Sequence, residues 1–202
     1  MTLEAITIPS PSETPTYLLV ALHGWGANAQ NLARFAPLFN WQETQMMFPD
    51  APFSHPTATG GKMWYDLQQQ RDEEGLNQSR QALKTWLASL ESETGVPPQR
   101  TFLIGFSQGG AMTLDVGFQF PFAGLCALSG YLHSEPQGSS SAPPTLIIHG
   151  TQDPVVPITA AQKARDTLQQ QGVNVTYQEF PMQHEITPEA LKTLKQFLER
   201  LS

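Results

Sequence analysis

A serine with a glycine two residues away on each side, Gly105-Phe106-Ser107-Gln108-Gly109, is the clearest chemical feature of the chain. It follows an apolar, β-like run and opens a helical pattern, and a further glycine, Gly110, comes next. A serine held at a sharp strand-to-helix turn takes a strained backbone, and small residues around it let neighbouring chain approach closely enough to keep it there. Its hydroxyl is then exposed beside the positive end of a helix, where developing negative charge is favoured. A tight turn alone would also use these glycines, and a phosphate cradle is a third use. The cradle pattern Gly-x4-Gly-Lys-Ser/Thr is absent, however, both here and at Gly60-Gly61-Lys62.

A serine hydroxyl is a weak nucleophile until a base takes its proton, so an imidazole oriented by a carboxylate is needed. The turn resembles that of α/β-hydrolases, in which the acid and then the histidine follow the serine in chain order. Asp115 lies two turns along the helix after Ser107, and Asp166 lies inside an amphipathic helical pattern, where a solvated face accounts for it. Asp153, in His149-Gly150-Thr151-Gln152-Asp153-Pro154, comes just past an apolar strand and is the expected acid, with Glu135 in reserve. A turn-forming aspartate is the competing reading of Asp-Pro. His184 follows a strand pattern and precedes a capped helix, which fits the base. His133 precedes Asp153 and breaks the order, and His149 reads as a structural turn residue.

Acyl transfer also needs donors for the carbonyl oxygen as it becomes negative. The amide of Gln108, next to the serine, is one candidate. The other is the amide of Trp25 in Leu22-His23-Gly24-Trp25-Gly26, where two glycines let the backbone turn.

These residues need a scaffold that brings several strand ends together. Short β-rich runs alternate with helical patterns: strands are expected at 16–22, 44–48, 101–105, 124–129, 145–149 and 173–180, with a weaker one at 5–8. Many of these runs are continuously apolar, as when helices cover both faces of a mostly parallel sheet. Helices are expected at 28–39, 76–93, 108–119 and 158–171, and over a last stretch opened by Thr187-Pro188-Glu189. Residues 49–66 and 130–144 lack periodicity and read as loops, and the glutamine runs 68–70 and 169–171 as solvent-facing surface.

The whole of 1–202 is therefore expected to form one α/β domain. A net charge of −7 and only 14% charged residues argue against a nucleic-acid or anionic-surface partner and against long disordered charge runs. Purely apolar runs reach only about five residues, far short of the ~18 of a membrane span, and no basic leader segment precedes them. A cytoplasmic location is expected. The lone Cys126, in an apolar stretch, reads as core.

With these residues assembled, the chain resembles the carboxylesterase and acyl-protein thioesterase family of α/β-hydrolases, also described as phospholipase/carboxylesterase-like. The resemblance covers most of the chain and is carried by residues 22–26, 105–112, 150–157 and 184–185, with Ser-Gln-Gly-Gly the most specific block. It implies an α/β-hydrolase fold and hydrolysis of carboxylic esters, and of thioesters, with short to medium acyl chains. The implied machinery is a Ser107, Asp153, His184 triad with Trp25 and Gln108 as oxyanion donors, and neither metal nor organic cofactor. Substrates would be small-molecule or lipid esters or acylated proteins. An acyl-protein thioesterase or lysophospholipase acting on lipid acyl groups and a non-catalytic ligand-binding receptor of the same fold are the alternatives. Met63-Trp64-Tyr65-Asp66 is similar to a family segment lining the acyl site, and Val155 and Val156 fall where its wall is expected. The family often has glycine where Gln183 stands. No insertion is long enough for a helical cap, so an open, shallow site is expected.

Overall fold

The computed structural model describes residues 3–39, 41–69, 72–136 and 142–202, so Gln70 and the Ser139–Ser141 run lie outside the described residues. Its centre is a seven-stranded sheet made of β1 (Ala5–Ile8), β2 (Tyr17–Leu22), β3 (Thr44–Pro49), β6 (Thr101–Phe106), β7 (Gly124–Leu128), β8 (Thr145–Gly150) and β9 (Val175–Phe180). The spatial order is β1-β3-β2-β6-β7-β8-β9, and every pairing is parallel except that of β1 with β3.

The apolar runs supply both faces of this sheet. In β2, Leu18, Val20 and Leu22 join one core while Leu19 and Ala21 join the other, as the two-residue period of a strand requires. Helices α2 (Glu73–Thr94), α3 (Gln108–Val116) and α4 (Ile158–Gln170) cover the first face with Leu83, Trp86, Met112 and Leu168. Helices α1 (Ala29–Ala33) and α5 (Pro188–Glu199) cover the second with Ala33, Leu194 and Phe197. Cys126 is fully buried there. All five helices are spent on the two faces, and among the described residues none is left for a cap or is long and apolar enough to cross a membrane.

Three differences from expectation have local causes. The expected helix 28–39 stops at Ala33 and resumes as a 3-10 turn over Ala36–Leu38. Pro37 lacks an amide hydrogen, and its ring would meet the carbonyl four residues back, that of Ala33. The long helix starts three residues before Leu76 because Asp72 caps it, accepting from the Gly75 amide at 2.9 Å, with Glu73 and Glu74 in the first turn. Loop 49–66 contains a small hairpin, β4 (Phe53–Ser54) with β5 (Lys62–Met63), too short to show a period. Asp72→Ala is expected to cost about 1 kcal/mol and to lower Tm by about 2–4 °C in thermal unfolding.

On the far side of α3, Asp115 pairs with Arg80, whose Nη2 donates to Oδ1 at 2.8 Å. Burial alone would raise the Asp115 carboxyl, but the His133 imidazole, 3.8 Å away, and the Arg80 guanidinium outweigh it and hold it below the usual range. A lowered folded-state pKa gives stability that is complete above the unfolded carboxylate pKa, about 3.9, and is lost as pH falls through the folded value. Arg80→Met should therefore destabilise by about 1–3 kcal/mol at pH 7, and urea titrations should show that deficit narrowing below about pH 4.

Candidate active site

Ser107 stands between the end of β6 and the start of α3 with φ 55° and ψ −118°, a left-handed conformation that costs a non-glycine residue about 1–3 kcal/mol. The neighbourhood holds it there: its amide donates to the Leu128 carbonyl at 2.8 Å, and its carbonyl accepts from the Ala111 amide at 3.0 Å. The flanking glycines answer to crowding. A methyl on Gly105 would lie 2.2 Å from the Gly109 carbonyl oxygen, and one on Gly109 would lie 2.2 Å from that of Leu22. The turn is thus wedged between β2 and its own helix.

Three of the sequence candidates converge at the carboxyl ends of β6, β8 and β9. His184 Nε2 lies 2.9 Å from Ser107 Oγ, and His184 Nδ1 lies 2.7 Å from Asp153 Oδ2. An ionised carboxylate only accepts, so the imidazole proton belongs on Nδ1, leaving Nε2 free to accept from the serine hydroxyl. Asp153 is itself fixed. Its side chain has no exposed surface, and Oδ1 accepts from the amides of Val155 at 2.8 Å and Val156 at 2.9 Å. Burial pushes its carboxyl upward, yet the hydrogen bonds from His184 and these two amides win and leave it below the usual carboxylate range. The carboxylate therefore stays charged wherever the histidine can act as a base. The reserve acid Glu135 and the discounted Asp166 are exposed. The rival His149 is fully buried with Nε2 donating to the Val156 carbonyl at 2.8 Å, and His133 meets the Tyr65 hydroxyl at 2.7 Å.

The two expected oxyanion donors follow neighbouring strands, since Leu22 of β2 pairs with Gly105 of β6. This is the switch point of the sheet, where the chain, having turned outward to β3, resumes on the other side of β2. Gln108 begins α3, so its amide has no partner within the helix. Trp25 sits on the turn closed by Gly26, whose φ is +77°. His23, which sequence reasoning gave no role of its own, orients that turn. Its Nδ1 donates to the Gly24 carbonyl at 2.8 Å, and its Nε2 accepts from the Ala51 amide at 3.0 Å. The Gly24 carbonyl and the Trp25 N–H belong to one trans peptide and point oppositely, so pinning one aims the other. Burial lowers the His23 pKa and keeps the ring neutral, as the bond from Ala51 requires.

The expected substrate contacts need correction. Trp64 has no exposed surface: its indole donates to the His23 carbonyl at 3.0 Å and its amide donates to Gln108 Oε1 at 2.9 Å, so it lies behind the site and does not line it. Val156 is only 8% exposed and spends its backbone on Asp153 and His149. Val155, at 64%, is open to a ligand. Phe106 was not anticipated. Its ring lies 4.9 Å from the His184 imidazole, and it also lines, with Ile186, a small, almost wholly apolar cavity of about 40 Å³ between the sheet, α1 and α5. Among the described residues no cluster of three or more His, Cys, Asp or Glu is placed to hold a metal ion.

Comparison with known proteins places the chain in a family. The sequence pattern of the phospholipase/carboxylesterase family matches residues 3–202. Acyl-protein thioesterase 1 of Neurospora crassa is 34% identical, over 89% of this chain and 82% of that protein. Acyl-protein thioesterase 1 of Saccharomyces cerevisiae is 30% identical, over 88% and 86%. Among solved structures, esterase PE8 superposes with a TM-score of 0.92 over the whole of both chains at 28% identity.

Proposed function

The chain belongs to the phospholipase/carboxylesterase family, and we propose that it hydrolyses carboxylic esters and thioesters through an acyl-enzyme on Ser107. The observation that carries this reading is the unbroken line from Ser107 Oγ through His184 to Asp153, with contacts of 2.9 and 2.7 Å. Ser107 Oγ attacks the ester carbonyl carbon as its proton passes to His184 Nε2, and the carbonyl oxygen becomes an oxyanion received by the Trp25 and Gln108 amides. Collapse breaks the bond to the alkoxide or thiolate, which leaves with the proton from His184. Water then gives a proton to His184 and attacks the acyl carbon, freeing the carboxylic acid and returning the proton to Ser107. Asp153 holds the imidazole in the required tautomer and offsets its transient charge.

The acyl substituent has Phe106 on one side of His184 and Val155 beyond Asp153 to rest against, and both favour an apolar chain. The thioesterase names of the curated relatives support lipid acyl groups or acylated proteins as the substrate class. kcat/KM measured on matched oxygen and thio esters of increasing acyl length tests this. Multiple turnovers, together with fluorophosphonate labelling confined to Ser107, are expected. Labelling with only a single slow turnover and a retained ligand would point to a binding receptor.

A further inference from the structure

Beyond β2 and β6, among the described residues, no backbone hydrogen bond links the turn at 23–26 to the turn at 106–109. The two proposed oxyanion donors nevertheless have to keep one spacing, because a donor displaced from the oxyanion's position loses most of its worth. The two turns pack against each other where Gly109 abuts the Leu22 and His23 carbonyls, and the side-chain hydrogen bonds that span the gap run through Trp64 and Gln108. Trp64 Nε1 donates to the His23 carbonyl at 3.0 Å, on the Trp25 turn. Its backbone amide donates to Gln108 Oε1 at 2.9 Å, and Gln108 Nε2 donates to the Tyr65 carbonyl at 2.7 Å, so the Gln108 amide grips residues 64 and 65 from both sides. The Trp64 carbonyl is anchored in turn on the Ser79 hydroxyl of α2. With His23 Nδ1 on the Gly24 carbonyl, two successive carbonyls of the Trp25 turn, those of residues 23 and 24, are held from behind.

We propose that Trp64 is a positioning residue: its indole N–H and its amide, through Gln108, form a brace that fixes the separation of the Trp25 and Gln108 amides and so stabilises the transition state without touching the substrate. The inference rests on the acyl-enzyme reading above. It gives a physical reason for a fully buried tryptophan whose indole N–H is committed to a specific partner, where an apolar core residue would fill the same volume.

The test replaces Trp64 with its benzothiophene isostere, β-(3-benzothienyl)alanine, which keeps the ring volume and removes only the N–H. A second variant, Gln108→Met, retains the Gln108 backbone amide but frees residues 64 and 65. Both should lower kcat for an aryl ester about ten-fold or more, a fraction of the loss from deleting a donor outright, with KM within two-fold. Affinity for an arylboronic acid, whose adduct on Ser107 carries an oxyanion, should fall in parallel with kcat. Leu83→Ala, in the same core, should lower Tm without this signature. Wild-type kcat and boronate affinity in both brace variants, alongside a dead Ser107→Ala enzyme, would overturn the brace alone. Hydrolysis surviving in Ser107→Ala would overturn the acyl-enzyme reading and take the brace with it.

Discussion

Ser107→Ala is expected to lower kcat/KM for a simple aryl ester by on the order of 10⁴- to 10⁶-fold, the range seen when the nucleophile of such a unit is removed. The site that remains still offers the two proposed oxyanion donors and the apolar surroundings, which leaves a residual catalysis of roughly 10³–10⁴ over water. Folding should be nearly untouched. The bonds that hold the turn, from the residue 107 amide to Leu128 and from the Ala111 amide to the residue 107 carbonyl, are backbone bonds that alanine keeps. The hydroxyl contributes one side-chain contact, to His184 at 2.9 Å. Alanine also carries the same positive φ as serine, so the strain is neither relieved nor increased. Activity loss with an unchanged urea midpoint is thus the signature. A variant that unfolds, or one that retains a hundredth of wild-type turnover, would contradict the assignment.

The contrast between what the sequence made legible and what it hid follows the distance over which each feature is determined. The strands and helices rest on local periodicity, and the seven strand patterns all appear in one sheet. The convergence of Ser107, Asp153 and His184 could be read because each sits just after a strand, and a parallel sheet gathers such positions at one edge whatever the details of packing. Trp64 could not be read that way. A tryptophan near a site sequence looks the same whether it faces substrate or lies behind the site, and the partners that decide it, His23 and Gln108, are 41 and 44 residues away. The break in α1 was local, through Pro37, but hydrophobic spacing across 28–39 masked it. The hairpin at 53–63 has two-residue strands, below the length at which alternation carries information.

The same geometry explains how a short chain can carry a rigid site. The loop after β8 is closed on itself by Asp153 and the buried His149, and the turn at Ser107 is wedged against β2. The Trp25 turn is clamped by His23 and tied to the hairpin, where the Gly26 amide donates to the Lys62 carbonyl at 2.9 Å. Preorganisation of this kind is what electrostatic stabilisation needs, because donors that do not reorganise lose nothing at the moment of reaction. A cap is not required for it.

Asp153→Asn should isolate the contribution of orientation from that of architecture, with kcat falling by about 10⁴-fold. The substituted amide has two ways to sit. With its oxygen at the Oδ1 position it keeps the bonds from the Val155 and Val156 amides and turns its NH₂ toward His184 Nδ1, 2.7 Å away in the native pair. Flipped, it would set its NH₂ against those two amide donors and forfeit both bonds, at about 1–3 kcal/mol for each buried donor left unpaired. The first orientation prevails. An NH₂ group only donates, so Nδ1 must become the acceptor and the imidazole proton moves to Nε2. Nε2–H then faces Ser107 Oγ and cannot take its proton. The variant should fold like the wild type, bind substrate with similar KM, and react with a fluorophosphonate more slowly by about the same factor as kcat. Retention of a tenth of kcat would mean that His184 finds its tautomer without Asp153, and the orienting role would have to be reassigned.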